Sequence, residues 1–589
     1  HAAESYLSNM ATPLTKYQAL EGLRILYQNI TRAVENGEDM EAREQMMLGC
    51  IITGFSFSNA NLGLVHGIAH TLSAHFGLAH GMANAVVLPY VMEYNAESCP
   101  KQMAELAKAI DLPVSGNPEK DSHLFAEELK KDVPETYFLL AEFAQKSFSD
   151  EIIEELQEEN RLQSSYQKLI ASAQIPFDGD IYTLSELGVK MECDDRDIRK
   201  RATQAYWGWM QSHQDEIDDL YDRMVKVRDR MAKKLGYKNY VELAYMLQCR
   251  FDYKQEDVAN YRRQVLEDVV PLCNALYERQ RERLGYDRLH VYDEKYEFAS
   301  GNPTPKYDTQ EMIARANTMY HELDERCGTF FDFMVEHDLL DLDSKKGKAG
   351  GGYCTVFAED RSPFIFSNFN KTSHDAEVLT HEAGHAFQVF TSMGIRPVEC
   401  IWPTYESCEI HSMSMEFFTW PWMETFFEED ADKYRFLHLG GAAKFIPYGV
   451  LVDHFQHEVY EHPEMTPAER RQTWRRLEKQ YLPHKDYTDC EFLENGGWWF
   501  RQSHIFMTPF YYIDYTLAQV CALQFWYRLY QKDENAFEDY YRICQIGGTK
   551  TFTQIVAAAN LKVPFADGCL KDVMKAVRSY LDQVDDKAL

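Results

Sequence analysis

The sequence predicts an all-α protein with one small β element. Three observations carry that reading. Apolar residues recur at helical spacing through most of the 589 residues, one glycine-rich and β-branched break interrupts them, and no repeat of 20–50 residues or low-complexity tract points elsewhere. In 195–236 a long charged stretch sets Ala202, Tyr206, Trp209 and Met210 at helical spacing, and 255–286 and 308–337 repeat the style. The break is 346–367, where glycines precede β-branched and aromatic residues and Pro363, the pattern of a hairpin with an edge strand.

Composition changes along the chain. Residues 1 to about 115 are rich in Ala, Gly, Met and Asn, with His66, His70, His75 and His80 close together. From about 135 onward Tyr, Phe, Trp, Glu and Lys dominate. Between them 111–122 reads as a Pro/Gly/Ser connector, followed by a short amphipathic piece, 123–131, before Pro134. Two domains are expected, 1–130 and 131–589. The charge balance, 61 Lys+Arg against 93 Asp+Glu, gives −32. That argues against nucleic acid and anionic membrane as partners, because both need clustered cations. No apolar run reaches the roughly 18–20 residues of a membrane span; 63–88 and 377–391 come nearest, and His and Gly interrupt both. Thirteen cysteines stand singly, without a CxxC pair, which reads as reduced thiols and a cytoplasmic setting. The chain opens at His1 in what reads as helix interior, so residue 1 is expected not to be the natural start.

The strongest motif is His381-Glu382-Ala383-Gly384-His385. Thr372 and Asp375 are placed to open its helix as a capping box, and Gly394 to close it. Two histidines four apart project from one helix face, the geometry of two imidazole ligands on one Zn²⁺. Glu382 beside them can take a proton from a metal-bound water. Chance gives such a motif in roughly one chain in twenty of this composition, so its neighbours matter. They are apolar on several faces, which buries the helix. Ala383 and Gly384 are small where a substrate or a second helix needs close approach. Glu409, 28 residues after His381, offers a carboxylate on a further helix, sharing its face with residues 412, 413 and 416. Two histidines and a carboxylate leave a fourth position open, as in catalytic zinc sites. Glu416 reads equally as an orienter of a ligand histidine or as an ordinary surface carboxylate, and His411 as structural.

HEAGHAFQVF, ESCEIHSMSMEFF and HIFMTPFYYIDYTLAQ, in that order, together with 164–179 and 347–370, resemble the oligoendopeptidase F and thimet oligopeptidase family of zinc metallopeptidases from about residue 132 to the C-terminus. The resemblance implies one catalytic Zn²⁺ held by His381, His385 and Glu409, with Glu382 as general base. It implies a large helical fold with a deep channel that admits short unstructured peptides. Thr508-Pro509 reads as an N-cap with Pro at N1, placing Tyr511 and Tyr515 on one face and His504 in the preceding loop. A tetrahedral intermediate needs such donors, though most tyrosines here read as helix core. The resemblance favours His504 and Tyr515; between Tyr511 and Tyr512 the sequence leaves the choice open. The turn 350–353 and the strand from Pro363 offer an edge on which a peptide could add as a strand.

Residues 1 to about 130 resemble instead the helical C-terminal domain of iron-containing alcohol dehydrogenases, through HAAESYLSNMATP, AVENGEDMEAREQMMLGC and the run from Phe57 to Asn95. The likeness implies a vestigial Fe²⁺ or Zn²⁺ site at His1, His66 and His80, with His70 as a further active-site histidine. The family's aspartate ligand and nucleotide-binding domain would lie before His1. The chain thus reads as two incomplete segments joined near 127–134, with exposed apolar faces expected where partners are missing. The expected activity is zinc-dependent hydrolysis of short peptides. The alternatives are a dehydrogenase activity, disfavoured without a cofactor domain, and an inactive chimaera.

Overall fold

The computed structural model describes residues 1–76, 79–131, 134–345, 348 and 351–589. They form two compact units, His1–Glu135 and Thr136–Leu589. The expected join at 127–134 includes residues 132 and 133, which lie outside the described residues, as does Gly350 of the expected turn.

The first unit is helical. Its longest helices, Pro13–Glu35 and Met40–Ala60, pack closely. Glycines permit that approach: a Cβ on Gly22 would stand 2.3 Å from Thr53 Oγ1, and one on Gly49 2.8 Å from Leu26 Cγ. Tyr6, Ala19, Val65, Met92, Met103, Leu106 and Phe125 form its core. Met47, Ile51 and Phe55, one per turn of Met40–Ala60, are 65, 51 and 58% exposed. That stripe matches the apolar faces the sequence led us to expect.

The second unit is predominantly helical. The stretch 195–236 forms Arg196–Ser212 and Gln214–Lys234. The stretch 255–286 is broken by a π segment, Val265–Val269. Pro271, lacking an N–H and crowding the carbonyl four residues back, explains the widened turn. The stretch 308–337 divides at Asp324, whose side chain accepts from Arg326 N and caps the second helix.

The β content is larger than the single element expected. A separate hairpin pairs β1 (Ile175–Phe177) with β2 (Asp180–Tyr182). Its turn, Asp178-Gly179, has φ of 50° and 91°, the left-handed pair that Asp-Gly favours between strands. The second sheet runs β3–β5–β4, from β3 (Leu340–Asp343), β4 (Tyr353–Phe357) and β5 (Ser362–Phe369), with β3 parallel and β4 antiparallel to β5. The strand from Pro363 is therefore central, not an edge; the edges are β3 and β4. The parallel strand β3 comes from a distant helix end, which local pattern does not reveal.

Five helices build the site: α1 (His374–Ser392), α2 (Tyr405–Phe418), α3 (Ala431–Glu461), α4 (Ser503–Met507) and α5 (Tyr512–Tyr530). Two local expectations are corrected. Thr372 does not cap α1; the N-cap is Ser373, without a side-chain cap. Asp375 turns back to accept from Asn370 N and Lys371 N at 2.9 and 2.7 Å, fixing the entering loop. Thr508-Pro509 does not start α5. His504 lies within α4, and α5 begins after Phe510, which adopts φ 68°. Tertiary contacts hold that bend: Phe510 N donates to Gln456 Oε1 at 2.9 Å and its carbonyl accepts from Arg250 at 2.6 Å. Among the described residues no single helix is long and apolar enough to cross a membrane.

Candidate active site

Helix α1 is buried along most of its length, including Ala383, Gly384 and His385. Gly384 faces α2. A Cβ there would meet His411 O at 2.7 Å, Ser412 Cα at 2.7 Å and Met415 Cβ at 2.9 Å. The small residue therefore serves a second helix rather than a substrate. The close crossing brings Glu409 on α2 to the two histidines of α1. Glu409 Oε2 stands 3.3 Å from His381 Nε2 and 3.4 Å from His385 Nε2. Among the described residues, this is the one group of three His, Cys, Asp or Glu side chains whose ligand atoms all lie within 4.8 Å of one another.

These spacings suit a zinc ion. Metal–ligand bonds of about 2.0–2.1 Å at tetrahedral angles set ligand atoms about 3.3–3.4 Å apart. Burial works against the charge on Glu409, yet His385 and His381 hold its carboxyl well below the usual range. Tyr511 Oη donates to Glu409 Oε1 at 2.9 Å, and Ser412 Oγ to Oε2 at 2.9 Å. One carboxylate oxygen is thereby occupied by tyrosine while the other faces the imidazoles.

Glu416 is no surface carboxylate. It accepts from His381 Nδ1 at 2.7 Å through Oε1 and bonds His438 Nε2 at 2.6 Å through Oε2. Trp420 Nε1 donates to His438 Nδ1 at 2.8 Å. Because indole is only a donor, His438 Nδ1 must accept, so His438 Nε2 carries the proton and gives it to Glu416. His381 in turn donates from Nδ1 and keeps Nε2 free as a ligand. Burial opposes ionisation of Glu416, but its bonds to His381 and His438 bring its pKa down to about 2. His438 and Trp420 were not legible as site residues; neither lies in a motif, and α3 brings His438 in from elsewhere.

Glu382 is 6% exposed and its Oε2 has no hydrogen-bond partner. Burial raises its pKa, and His381 and His385 counter part of that rise. His385 Nδ1 is likewise buried without a partner. His411 is structural in its contacts: it is fully buried, with Nδ1 2.7 Å from Ser407 O.

His381, Glu382, His385 and Glu409 line a cavity of about 570 Å³. Tyr353, Tyr405, Tyr511 and Tyr515 also line it. The Tyr511 and Tyr515 rings lie 4.9 Å apart, each 5.9 Å from His504. The Tyr512 ring lies 4.9 Å from His504 and 5.6 Å from Tyr515 and packs on Phe445 and Tyr448; neither it nor His504 is among the residues lining the cavity. Gln502 Nε2 donates to His504 Nδ1 at 2.8 Å, leaving the proton on Nε2. Burial lowers the His504 pKa to about 4, so the ring is neutral near pH 7. Beneath this wall, Arg250 donates to Asp514 Oδ1 at 3.0 Å. Burial lifts the Asp514 pKa to about 7 despite Arg250.

In the first unit, the rings of His1 and His66 lie 4.3 Å apart, His66 and His80 5.4 Å, and His70 and His80 4.9 Å. The structure thus gathers the expected histidines. Their nitrogens do not form a three-ligand set within 4.8 Å, and His66 Nδ1 is committed to Glu4 Oε2 at 2.5 Å.

Two family models match different stretches of the chain. Residues 1–150 match the C-terminal model of the Fe-containing alcohol dehydrogenase family. In that region the chain is 39% identical over 116 residues to the 1,3-propanediol dehydrogenase of Klebsiella pneumoniae, covering 20% of this chain and 30% of that enzyme. It is 41% identical over 108 residues to the enzyme of Citrobacter freundii, covering 18% of this chain and 28% of that enzyme. The chain therefore spans less than a third of these curated relatives. Among solved structures, Pz peptidase A with an inhibitor is 45% identical, over 96% of this chain and 97% of that one, with a TM-score of 0.76. An oligoendopeptidase F of Bacillus anthracis is 44% identical over 96% and 97%, with a TM-score of 0.72. Residues 189–575, which include His381, Glu382, His385 and Glu409, match the model of peptidase family M3, and the chain belongs to that family.

Proposed function

We propose that the second unit is a zinc-dependent endopeptidase acting on short unstructured peptides. The observation that carries this reading is the spacing of Glu409 Oε2, 3.3 and 3.4 Å from two imidazole nitrogens, beside the buried, unpartnered Glu382 carboxylate. His381, His385 and Glu409 are the residues that would hold the ion. Zinc bound there would supply a Lewis acid for the scissile carbonyl and acidify water. Glu382 takes the proton of the attacking water and returns it to the leaving amine, a role its raised pKa favours. Neutral His504 and the Tyr511 and Tyr515 hydroxyls supply donors to the developing oxyanion. Strand β4 lines the cavity through Tyr353, Cys354 and Thr355, so an extended peptide could pair along it with little sequence preference. The thirteen free thiols suit a reducing compartment such as the cytoplasm.

The test is a quenched-fluorescent peptide of about eight residues, with and without a chelator. Cleavage lost on chelation and restored by Zn²⁺ supports the assignment. One equivalent of bound zinc without cleavage would mean that the metal site forms in an inactive chain. A second reading, metal-dependent alcohol oxidation by the first unit, has only the meeting of the His1, His66 and His80 rings in its favour. Saturable nicotinamide binding by the whole chain would be needed to sustain it.

A further inference from the structure

The segment that precedes Tyr511 is held from outside its own helix. Pro509 O accepts from Gln248 Nε2 at 3.1 Å, Phe510 O accepts from Arg250 Nη2 at 2.6 Å, and Phe510 N donates to Gln456 Oε1 at 2.9 Å. The same Arg250 Nη2 reaches past Tyr511 to Asp514 Oδ1, 3.0 Å away, while Asp514 N donates to Tyr511 O at 3.0 Å. Tyr511 therefore lies between two anchors of one guanidinium. Its own hydroxyl donates to Glu409 Oε1 at 2.9 Å.

Arg250 follows a strained helix end. Helix Tyr240–Leu247 stops in a Schellman turn, in which Cys249 N donates to Met246 O and Arg250 N to Tyr245 O. The left-handed position of that turn usually takes glycine; here it holds Cys249, at φ 53°. Phe510, which Arg250 grips, is at φ 68°. Left-handed backbone at residues bearing a Cβ costs energy and persists where the surroundings over-determine it. The bonds from Gln248 and Arg250 tie the one turn to the other. Gln248, Cys249 and Tyr511 all line the cavity of about 570 Å³, so the strain lies in the wall of the site.

The side chains of Arg250 and Asp514 are both 0% exposed. The guanidinium lies 4.3 Å from the Tyr245 ring, and its Nε and Nη1 have no partner among the described residues. For stability alone, apolar side chains of similar volume often serve as well as a buried ion pair. What the pair adds here is direction, since it fixes the backbone on both sides of Tyr511. Resting on the peptidase reading, we propose that Arg250 is a positioning residue for peptide hydrolysis, acting through Phe510 O and Asp514 to set the Tyr511 hydroxyl at the candidate metal site.

The experiment is a mutant cycle on the zinc-loaded full chain with a fluorogenic peptide. Arg250→Lys keeps the charge on a shorter point donor. Arg250→Met combined with Asp514→Leu removes the pair without leaving a buried charge. We expect either change to lower kcat by about 10- to 100-fold, the effect of a misplacement of about 1 Å, with KM altered less and Arg250→Lys the milder of the two. With Tyr511→Phe already in place, the same changes should cost less than about twofold, because groups that act as a unit are not additive. A readout free of zinc and turnover is fluorine NMR of a fluorinated tyrosine at position 511. Its line should be sharp in the parent chain and shifted or broadened in both Arg250 variants. If the paired change does not fold, by circular dichroism, the cycle and the line are read on Arg250→Lys. Equal losses with and without the Tyr511 hydroxyl, or an unmoved fluorine line, would overturn this inference and leave the peptidase reading standing. A line that responds in a zinc-loaded chain that cleaves no peptide would overturn the peptidase reading and sustain the placement of Tyr511 by Arg250.

Discussion

Gly384→Ala tests whether the helix crossing sets the metal site. The added Cβ would lie 2.7 Å from two backbone atoms of α2, His411 O and Ser412 Cα. Backbone cannot rotate away as a flexible side chain can. Reaching ordinary contact near 3.4 Å requires α1 and α2 to separate by about 0.7 Å. Glu409 lies on α2 less than one turn from those atoms, while His381 and His385 lie on α1. The separation would stretch the ligand edges from 3.3 and 3.4 Å toward about 4 Å, beyond what bonds of about 2.0–2.1 Å can span. Overpacking of this kind costs about 1–3 kcal/mol. If relieved by giving up the Glu409 contact, it weakens zinc binding roughly 5- to 150-fold. Gly394→Ala is the internal control, because a Cβ there meets nothing within 4 Å. Zinc affinity would be measured by competition with a chromogenic chelator, alongside helical content by circular dichroism. Wild-type zinc affinity in a folded Gly384→Ala protein would refute the reasoning.

The remaining predictions concern individual side chains. Glu382→Gln should bind zinc normally and lose about 10²–10⁴-fold in kcat, by stopped assay and metal analysis of the same sample; retained turnover would exclude Glu382 as the base. Glu416→Gln should lower zinc affinity about 10- to 100-fold, since His381 Nδ1 then faces a neutral amide; an unchanged affinity would reduce Glu416 to packing. Tyr511→Phe should lower kcat about 10²–10³-fold with zinc retained, whereas Tyr512→Phe should change it little. For His504 the folded pKa, about 4, lies below the ordinary value of 6.5. Its burial is therefore compatible with folding above pH 6.5 and becomes a cost as pH falls toward 4. The melting temperature of wild type relative to His504→Gln should be constant above pH 6.5 and decline below it; a flat difference would contradict the neutral assignment.

Helix positions were legible because they rest on local periodicity. The stretches 195–236 and 308–337 bury one face each, and that repeats in the residues themselves. The cluster of His381, His385 and Glu409 was legible for a related reason: two positions are fixed by one helical turn, and the third stands on a helix whose face repeats at 412, 413 and 416. The hairpin at Asp178-Gly179 carries a local signal, an Asp-Gly pair between short strands. Two other features could not be read locally. The order β3–β5–β4 depends on a parallel strand from a distant helix end. The start of α5 depends on Gln456 and Arg250, which hold Phe510 at φ 68° from other elements.

The sequence by itself determined that this protein is helical, that it divides into segments of unlike character, and which residues could ligate zinc. It left Glu416 undecided between surface and site, Tyr511 undecided against Tyr512, and Gly384 undecided between substrate and helix. Tertiary structure decided all three, because each depends on what another element places within about 3 Å. His438 from α3 makes Glu416 a bridge, Glu409 from α2 selects Tyr511, and the backbone of α2 leaves no room for a Cβ on Gly384. Spacing along one helix fixes which side chains share a face; only packing fixes what that face meets.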